Sequence, residues 1–301
     1  MEVLGQAAVI VAIILLGQVL KRIGWLTSRD FTPLSVIAVR VTLPCAVITN
    51  FDAFEIGPEL LWFTLFGFLV IVAGQLATVL VERRRGRAAQ AFGVLNVSNF
   101  NIGLFVIPYL SAVMGPQAIV VASMFDIGNA IGAAGLGYAG GMALASGERP
   151  SGRRFLRSVF SSPVFLAYVG MLVLGLADIS LPSGIVAFTA TIGGANTFIA
   201  MLMIGVGLEL ALDRGALAEA TRYLATRWAV LAAATAVLWL VLPFSVADKA
   251  TLTMVIAAPM AAMVSGFTDE AGLDVRVSTF MTTVTVAVAL VAMPAVLVLA
   301  A

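Results

Sequence analysis

A chain of 301 residues that is 61% hydrophobic and only 11% charged, with a mean hydropathy of +1.08, does not have the composition of a water-soluble globule. Its net charge of +1 gives no footing for nucleic-acid binding, and the absence of histidine excludes histidine-based zinc sites, Ser-His-Asp triads and histidine proton relays. The single cysteine, Cys45, rules out an intrachain disulfide.

A helix needs about 20 apolar residues to cross the hydrocarbon of a bilayer. Scanned with that length, the sequence predicts ten spans in chain order, at roughly 3–21, 32–50, 59–81, 88–112, 116–145, 161–178, 183–208, 224–244, 249–268 and 275–300. The first begins beside Met1 without a basic start or a small-residue cleavage pattern, so it is expected to be retained rather than removed as a signal. The fifth is glycine-rich and is expected to bend or tilt.

Charge sets the expected orientation. Taken alternately, one set of connections holds Lys21, Arg22, Arg29, Arg83, Arg84, Arg85, Arg87, Arg149, Arg153, Arg154, Arg157, Arg214, Arg222, Arg227 and Arg276, which is fifteen of the seventeen basic residues. The other set holds Lys249 beside Asp52, Glu55, Glu59, Asp178 and Asp248. The positive-inside rule puts the first set in the cytoplasm and both termini outside, as an even number of spans requires.

Ten spans divide into two fives. Gly17 and Gly170 are 153 positions apart, Pro44 and Asn196 are 152 apart, and Pro108 and Pro259 are 151 apart. Five is odd, so the second half enters the membrane from the opposite side. The expected fold is therefore an all-α integral membrane protein of ten transmembrane helices built as two inverted five-helix repeats, 1–158 and 159–301.

The fourth span contains NVSNFNIGLFVIPYLS, residues 96–111, with three asparagines, a glycine and a proline. Pro108 with Gly103, and Pro259 with Gly266 in the ninth span, are expected to break both helices, so that the broken helices 4 and 9 can cross near the bilayer centre. Broken backbone at that depth is tolerated where protein or a water-filled cavity answers its polar groups. Asn96 and Asn99 share a helical face, whereas Asn101 points elsewhere and can bind the opened backbone. The asparagines read either as a site for a polar solute or ion, or as glue between helices.

Two ionisable residues lie near mid-span. Arg40, four before Pro44, can counter a substrate carboxylate, pair with Asp126 or snorkel to the cytoplasmic side. Asp126 shares a face with Asn129; together they can exchange a proton or, with opened carbonyls, hold sodium, or the acid can be structural. Asn196 and Thr197 follow two glycines opposite Pro44, which suits either the substrate path or close packing. Asp269 and Glu270 read as a solvated loop, and Met201 and Met203 as packing.

The motifs GQVLKRIGWLT, VTLPCAVITNF, NVSNFNIGLFVIPYLSAVMGPQA, SSPVFLAYVGMLVLGL, MLMIGVGLEL and AAPMAAMV run the length of the chain and resemble those of the auxin efflux carrier family, which includes plant carriers and bacterial permeases. The resemblance implies a fold similar to bile acid symporters and sodium–proton antiporters. Residues of about 1–52 with 159–210 would form a scaffold, and about 58–146 with 222–301 a transport bundle with crossover helices 4 and 9. It implies an elevator-type carrier of a small organic anion in a bacterial cytoplasmic (inner) membrane. Asn101 and Pro108, with Pro259, would then lie at the crossover, and Pro44 and Cys45 would line the cavity from the scaffold side; Asn99, Met260, Arg40, Asn196 and Thr197 are added as substrate-site candidates by their own place in the sequence, not by the resemblance. Asp126, Asn129 and Asn96 would serve ion coupling. The third span departs from the plant pattern, since 62–81 holds only Gln75 as a strongly polar group. Beyond the bilayer and an organic anion, with a homodimer open by analogy, no partner is expected, and no cofactor other than a coupling proton or sodium.

Three alternatives stand beside the carrier. An uncoupled facilitator or channel fits the same features. An intramembrane aspartyl protease would need a second deep carboxyl beside Asp126, and a Ser–Lys dyad a buried lysine, whereas Lys21 and Lys249 lie at span ends. A receptor would carry a soluble signalling domain.

Overall fold

The computed structural model describes residues 2–52, 57–208, 214–261 and 263–300, so Glu55 and the 209–210 end of the expected scaffold lie outside the described residues. Every regular element among them is helical. In chain order these are α1 (Glu2–Arg22), α2 (Phe31–Ile37), α3 (Leu43–Asp52), α4 (Leu61–Val81), α5 (Arg87–Asn96), α6 (Ile107–Val113), α7 (Pro116–Asn129) and α8 (Tyr138–Ser146), followed by α9 (Gly152–Phe160), α10 (Pro163–Leu176), α11 (Ser183–Gly193), α12 (Asn196–Gly207), α13 (Arg214–Leu240), α14 (Val246–Ile256), α15 (Val264–Glu270) and α16 (Val275–Ala300). Among the described residues, six stretches are long and apolar enough to cross a membrane: Ser28–Asp52, Pro58–Val81, Pro116–Ser146, Ser183–Gly207, Leu217–Leu240 and Val275–Leu299. The pair α9 and α10, bent by 76°, makes a seventh if counted as one.

Local sequence explains the interruptions. Wide five-residue turns, Ala38–Thr42 and Ile102–Val106, end two residues before Pro44 and Pro108. In each, the amide just before the proline reaches back five residues instead of four: Leu43 to Ala38, and Ile107 to Ile102. The slack makes room for a ring that would otherwise press on the preceding turn. A third wide turn, Ala130–Gly137, is the glycine-rich stretch AIGAAGLG, and side chains take up its carbonyls. Gln75 Nε2 donates to Gly132 O at 2.8 Å, and Ser158 Oγ donates to Ala134 O. Pro108 therefore lies inside a helix that has already resumed, whereas Pro259 lies in the non-helical stretch 257–261; the two positions are not equivalent in detail. Gly266, expected at a break, is the third residue of α15.

The charged connection 149–157, read from sequence as a loop, is helical from Gly152 onward, where α9 begins. Ser151 Oγ caps it by accepting the Arg154 amide, while Phe155 and Val159 turn inward against Gly135. Ser162 then caps α10 and Pro163 opens it, which fixes the bend.

The helices pack in two groups. In the first, α1 lies on α12, and α3 lies on α10 and α11. A methyl group on Gly205 would come within 2.1 Å of Ile14 O, so α1 and α12 meet backbone to backbone. Gly170, matched to Gly17 by spacing, has open space instead. Gln18 Nε2 donates to Gly205 O (2.6 Å) and Leu208 O (2.9 Å), and Thr49 Oγ1 to Thr189 Oγ1 (3.0 Å). In the second group α4 lies on α7, with Gly128 set against Thr64 O, and α13 touches α4, α14 and α16. Arg222 Nε reaches Glu82 Oε1 at 2.7 Å, joining α13 to the end of α4. α6 lies against α1 and α12, and α7 against α3 and α10, so α6 and α7 carry much of the contact between groups.

Candidate functional site

The chain leaves the helix after Asn96 and again after Ile256, and the two irregular stretches lie against each other. The Asn101 amide donates to Pro259 O at 2.9 Å. Asn99 is spent on the opened backbone: its Nδ2 donates to Leu95 O (3.0 Å) and Asn96 O (2.8 Å), and its Oδ1 accepts from the Ala261 amide (2.8 Å). Thr285 Oγ1 accepts the Met260 amide at 3.1 Å. Each of these bonds answers a group that a broken helix in an apolar setting would otherwise leave costly.

The charge at this junction is Arg227, which is 1% exposed. Its guanidinium donates to Val97 O (2.7 Å), Asn99 O (2.8 Å) and Ala258 O (2.9 Å), with its carbon 4.9 Å from the Phe100 ring centre. These carbonyls follow directly on the C-terminal ends of α5 and α14, where the helix dipoles leave partial negative charge. A buried cation is thus held by backbone oxygens and a ring face, with no carboxylate among its described partners. Read from sequence, Arg227 belonged to the cytoplasmic charge set. α13 starts at Arg214, ten residues ahead of the expected span, which carries Arg227 to mid-helix. The signal was its place within the apolar run that begins at Tyr223.

Beside the junction opens a cavity of about 1050 Å³. It is lined by Arg40 and Tyr168 from the first group, by Asn99, Asn101, Asp126 and Asn129 from the second, and by Arg153, Arg154 and Arg157 of α9 at its rim. Asn101 is 7% exposed, and its carboxamide makes no hydrogen bond among the described residues. The division of labour expected for the asparagines is thereby reversed: Asn99 binds the backbone and Asn101 faces the space. The first amides of Ile102–Val113 follow Asn101 directly, so a helix N-terminus opens on the same cavity. Asp126, half-buried, accepts from Asn129 Nδ2 (2.8 Å) and Tyr168 Oη (2.9 Å). Asn129 also exchanges two hydrogen bonds with the Phe100 backbone, 3.3 Å from its N and 3.1 Å to its O. Arg40 is exposed to the cavity and makes no ion pair among the described residues, so the expected alternative of an Arg40–Asp126 pair is not formed.

No family model matches the chain. It is similar to a protein of Methanothermobacter thermautotrophicus named "Uncharacterized transporter", with 24% identity over 217 residues, 70% of each chain.

The remaining residues expected at the site, Asn96, Asn196, Thr197, Pro44, Cys45, Pro108, Pro259 and Met260, are not among those that line the cavity. Asn96 is fully buried and ties α5 to α15 and α16: its Nδ2 donates to Phe92 O and Thr268 Oγ1 (both 2.9 Å), and its Oδ1 accepts from Ser278 Oγ (2.6 Å). That set of bonds is structural. Asn196, 2% exposed, accepts at 2.9 Å from Oγ1 of Thr42, two residues before the Pro44 it is paired with by spacing; Thr197 beside it is half-buried. Pro44 and Cys45 are half-buried, the latter with its backbone close to Gly193 of α11. Pro108, Pro259 and Met260 are buried, and Pro259 contributes its carbonyl. Glu270, expected in a solvated loop, ends α15, lines the cavity and accepts from Tyr138 Oη at 2.7 Å. Among the described residues no cluster of three His, Cys, Asp or Glu side chains is placed to hold a metal ion. At the pair expected to take sodium, both Asp126 oxygens and Asn129 Oδ1 already accept hydrogen bonds.

Proposed function

We propose that this protein is a secondary transporter that carries a small organic anion, a carboxylate, across the membrane by alternating access. The reading rests on the cavity lining, where the guanidinium groups of Arg40, Arg153, Arg154 and Arg157 outnumber the carboxylates of Asp126 and Glu270 by four to two. The cavity leads to the free amide of Asn101 and the N-terminus of Ile102–Val113, donors suited to a carboxylate. Arg40 supplies the fixed counter-charge. The membrane-length apolar helices and the relative's name support a membrane transporter as the class.

In the finer reading the chain is a ten-span inverted repeat with both termini outside, related in plan to the auxin efflux carriers. The first group of helices is the scaffold and the second the transport bundle. Backbone-to-backbone glycine contacts stiffen each group from within, which favours movement of one group against the other as bodies. Asp126 couples that movement to a proton or sodium. A thermal-shift screen tests the site: short mono- and dicarboxylates are expected to raise the melting temperature saturably, while neutral amides and organic cations leave it unchanged. If the cations stabilise and the carboxylates do not, the assignment to anions fails.

A further inference from the structure

The hydrogen bonds respect the division into two groups. Gln18, Lys21, Thr42 and Thr49 bond within the first; Thr64, Gln75, Asn96, Arg222 and Arg227 bond within the second; Ser158 attaches the connecting α9 to the second. One bond runs between them: Tyr168 Oη of α10 donates to Asp126 Oδ2 of α7 at 2.9 Å. Among the described residues, Arg276 aside, hydrogen bonding between the two groups is confined to this tyrosine hydroxyl, which also faces Ser123 of α7. Tyr168 is 1% exposed, and its ring lies 6.3 Å, centre to centre, from that of Phe51 on α3, so its hydroxyl is held from the first group's side.

The acceptor is not isolated. Asp126 Oδ1 takes a hydrogen bond from Asn129, and Asn129 grips both the N–H and the C=O of Phe100. Phe100 immediately precedes Asn101, whose carboxamide faces the cavity. A continuous run of hydrogen bonds therefore links α10 to the backbone beside the free amide.

We propose that Tyr168 is a positioning residue and that its hydrogen bond to Asp126 latches the two groups together in the state described. The proposal rests on the two-body reading given above. A hydrogen bond to a carboxylate is of the stronger kind, and any sliding of α7 past α10 breaks it. An anion drawn to Asn101 pulls on the Phe100 backbone, hence on Asn129 and Asp126, so occupancy of the site biases the latch.

Spin labels at Gly115→Cys and Gly184→Cys, in a Cys45→Ala background, report the separation of the groups; both glycines have open space around them. Pulsed electron–electron double resonance on the otherwise unaltered protein is expected to give one dominant distance. Tyr168→Phe keeps the ring and removes the donor, and is expected to raise the population at a second distance by about tenfold. Asp126→Asn, made from the other side of the bond, is expected to act in the same direction, and the double variant to add little to either. An unchanged distribution in both single variants overturns the latch, and so does full additivity of the two. The measurement needs no substrate, so a failure of the carboxylate assignment leaves it readable.

Discussion

Replacing Arg227 by methionine removes the guanidinium and keeps an unbranched, apolar stem. Val97 O, Asn99 O and Ala258 O then lose their donors at 2.7, 2.8 and 2.9 Å. An unanswered buried acceptor costs about 1–3 kcal/mol, so three of them set an upper bound of roughly 9 kcal/mol. Relief of the arginine's own desolvation offsets part of this, and deletions within buried ionic networks typically cost about 3–5 kcal/mol. That lower range is the expected loss for Arg227→Met. Arg40→Met is the control of identical chemistry: Arg40 is exposed and makes no ion pair among the described residues, so its replacement should change stability by about 0.5 kcal/mol or less. Melting can be followed with a thiol-reactive dye, because the half-buried Cys45 is the one thiol in the chain. The reasoning is refuted if Arg227→Met melts with the parent protein, or if Arg40→Met is the more destabilised of the two.

Other substitutions separate binding from folding. Asn101→Ala should leave the melting temperature within error while weakening carboxylate affinity about tenfold, as judged by titration calorimetry. Asn99→Ala should do the reverse, lowering stability by about 2 kcal/mol through loss of the Ala261 bond and the cap on α5, read as a fall in the melting temperature. Gly128→Val sets a branched side chain where even a Cβ would lie 2.2 Å from Thr64 O, so poor monodispersity on gel filtration is expected. Asp126→Asn should abolish the dependence of transport on pH or sodium; equal dependence in parent and variant would remove Asp126 from coupling.

What the sequence disclosed followed from periodicity and composition. The length of apolar runs predicted membrane-spanning helices, and six stretches have that character. Asn101, Asn99, Asp126, Asn129 and Arg40 were singled out as polar groups in apolar text, and all five line the cavity. Their roles were less legible, because a carboxamide that mends a broken helix and one that faces open space look alike in a string of letters. Asn99 and Asn101 differ only in which side of the chain they fall on after α5 ends. Arg227 was hidden for a related reason: a cation within a turn or two of an expected span end reads as an anchor, and only the earlier start of α13 carries it inward. Tyr168 gave no signal, since a tyrosine in an apolar helix is ordinary until a carboxylate is found opposite its hydroxyl. The amphipathic α9 was masked by its arginines, which serve equally as a charge marker and as one rim of the cavity.

The claim that two bodies enclose an anion and expose it alternately is tested most directly by counterflow in proteoliposomes, using the carboxylate that most raises the melting temperature. Unlabelled carboxylate trapped inside should accelerate and transiently overshoot the uptake of labelled carboxylate. Uptake indifferent to the trapped anion would mark an open pore and contradict the account.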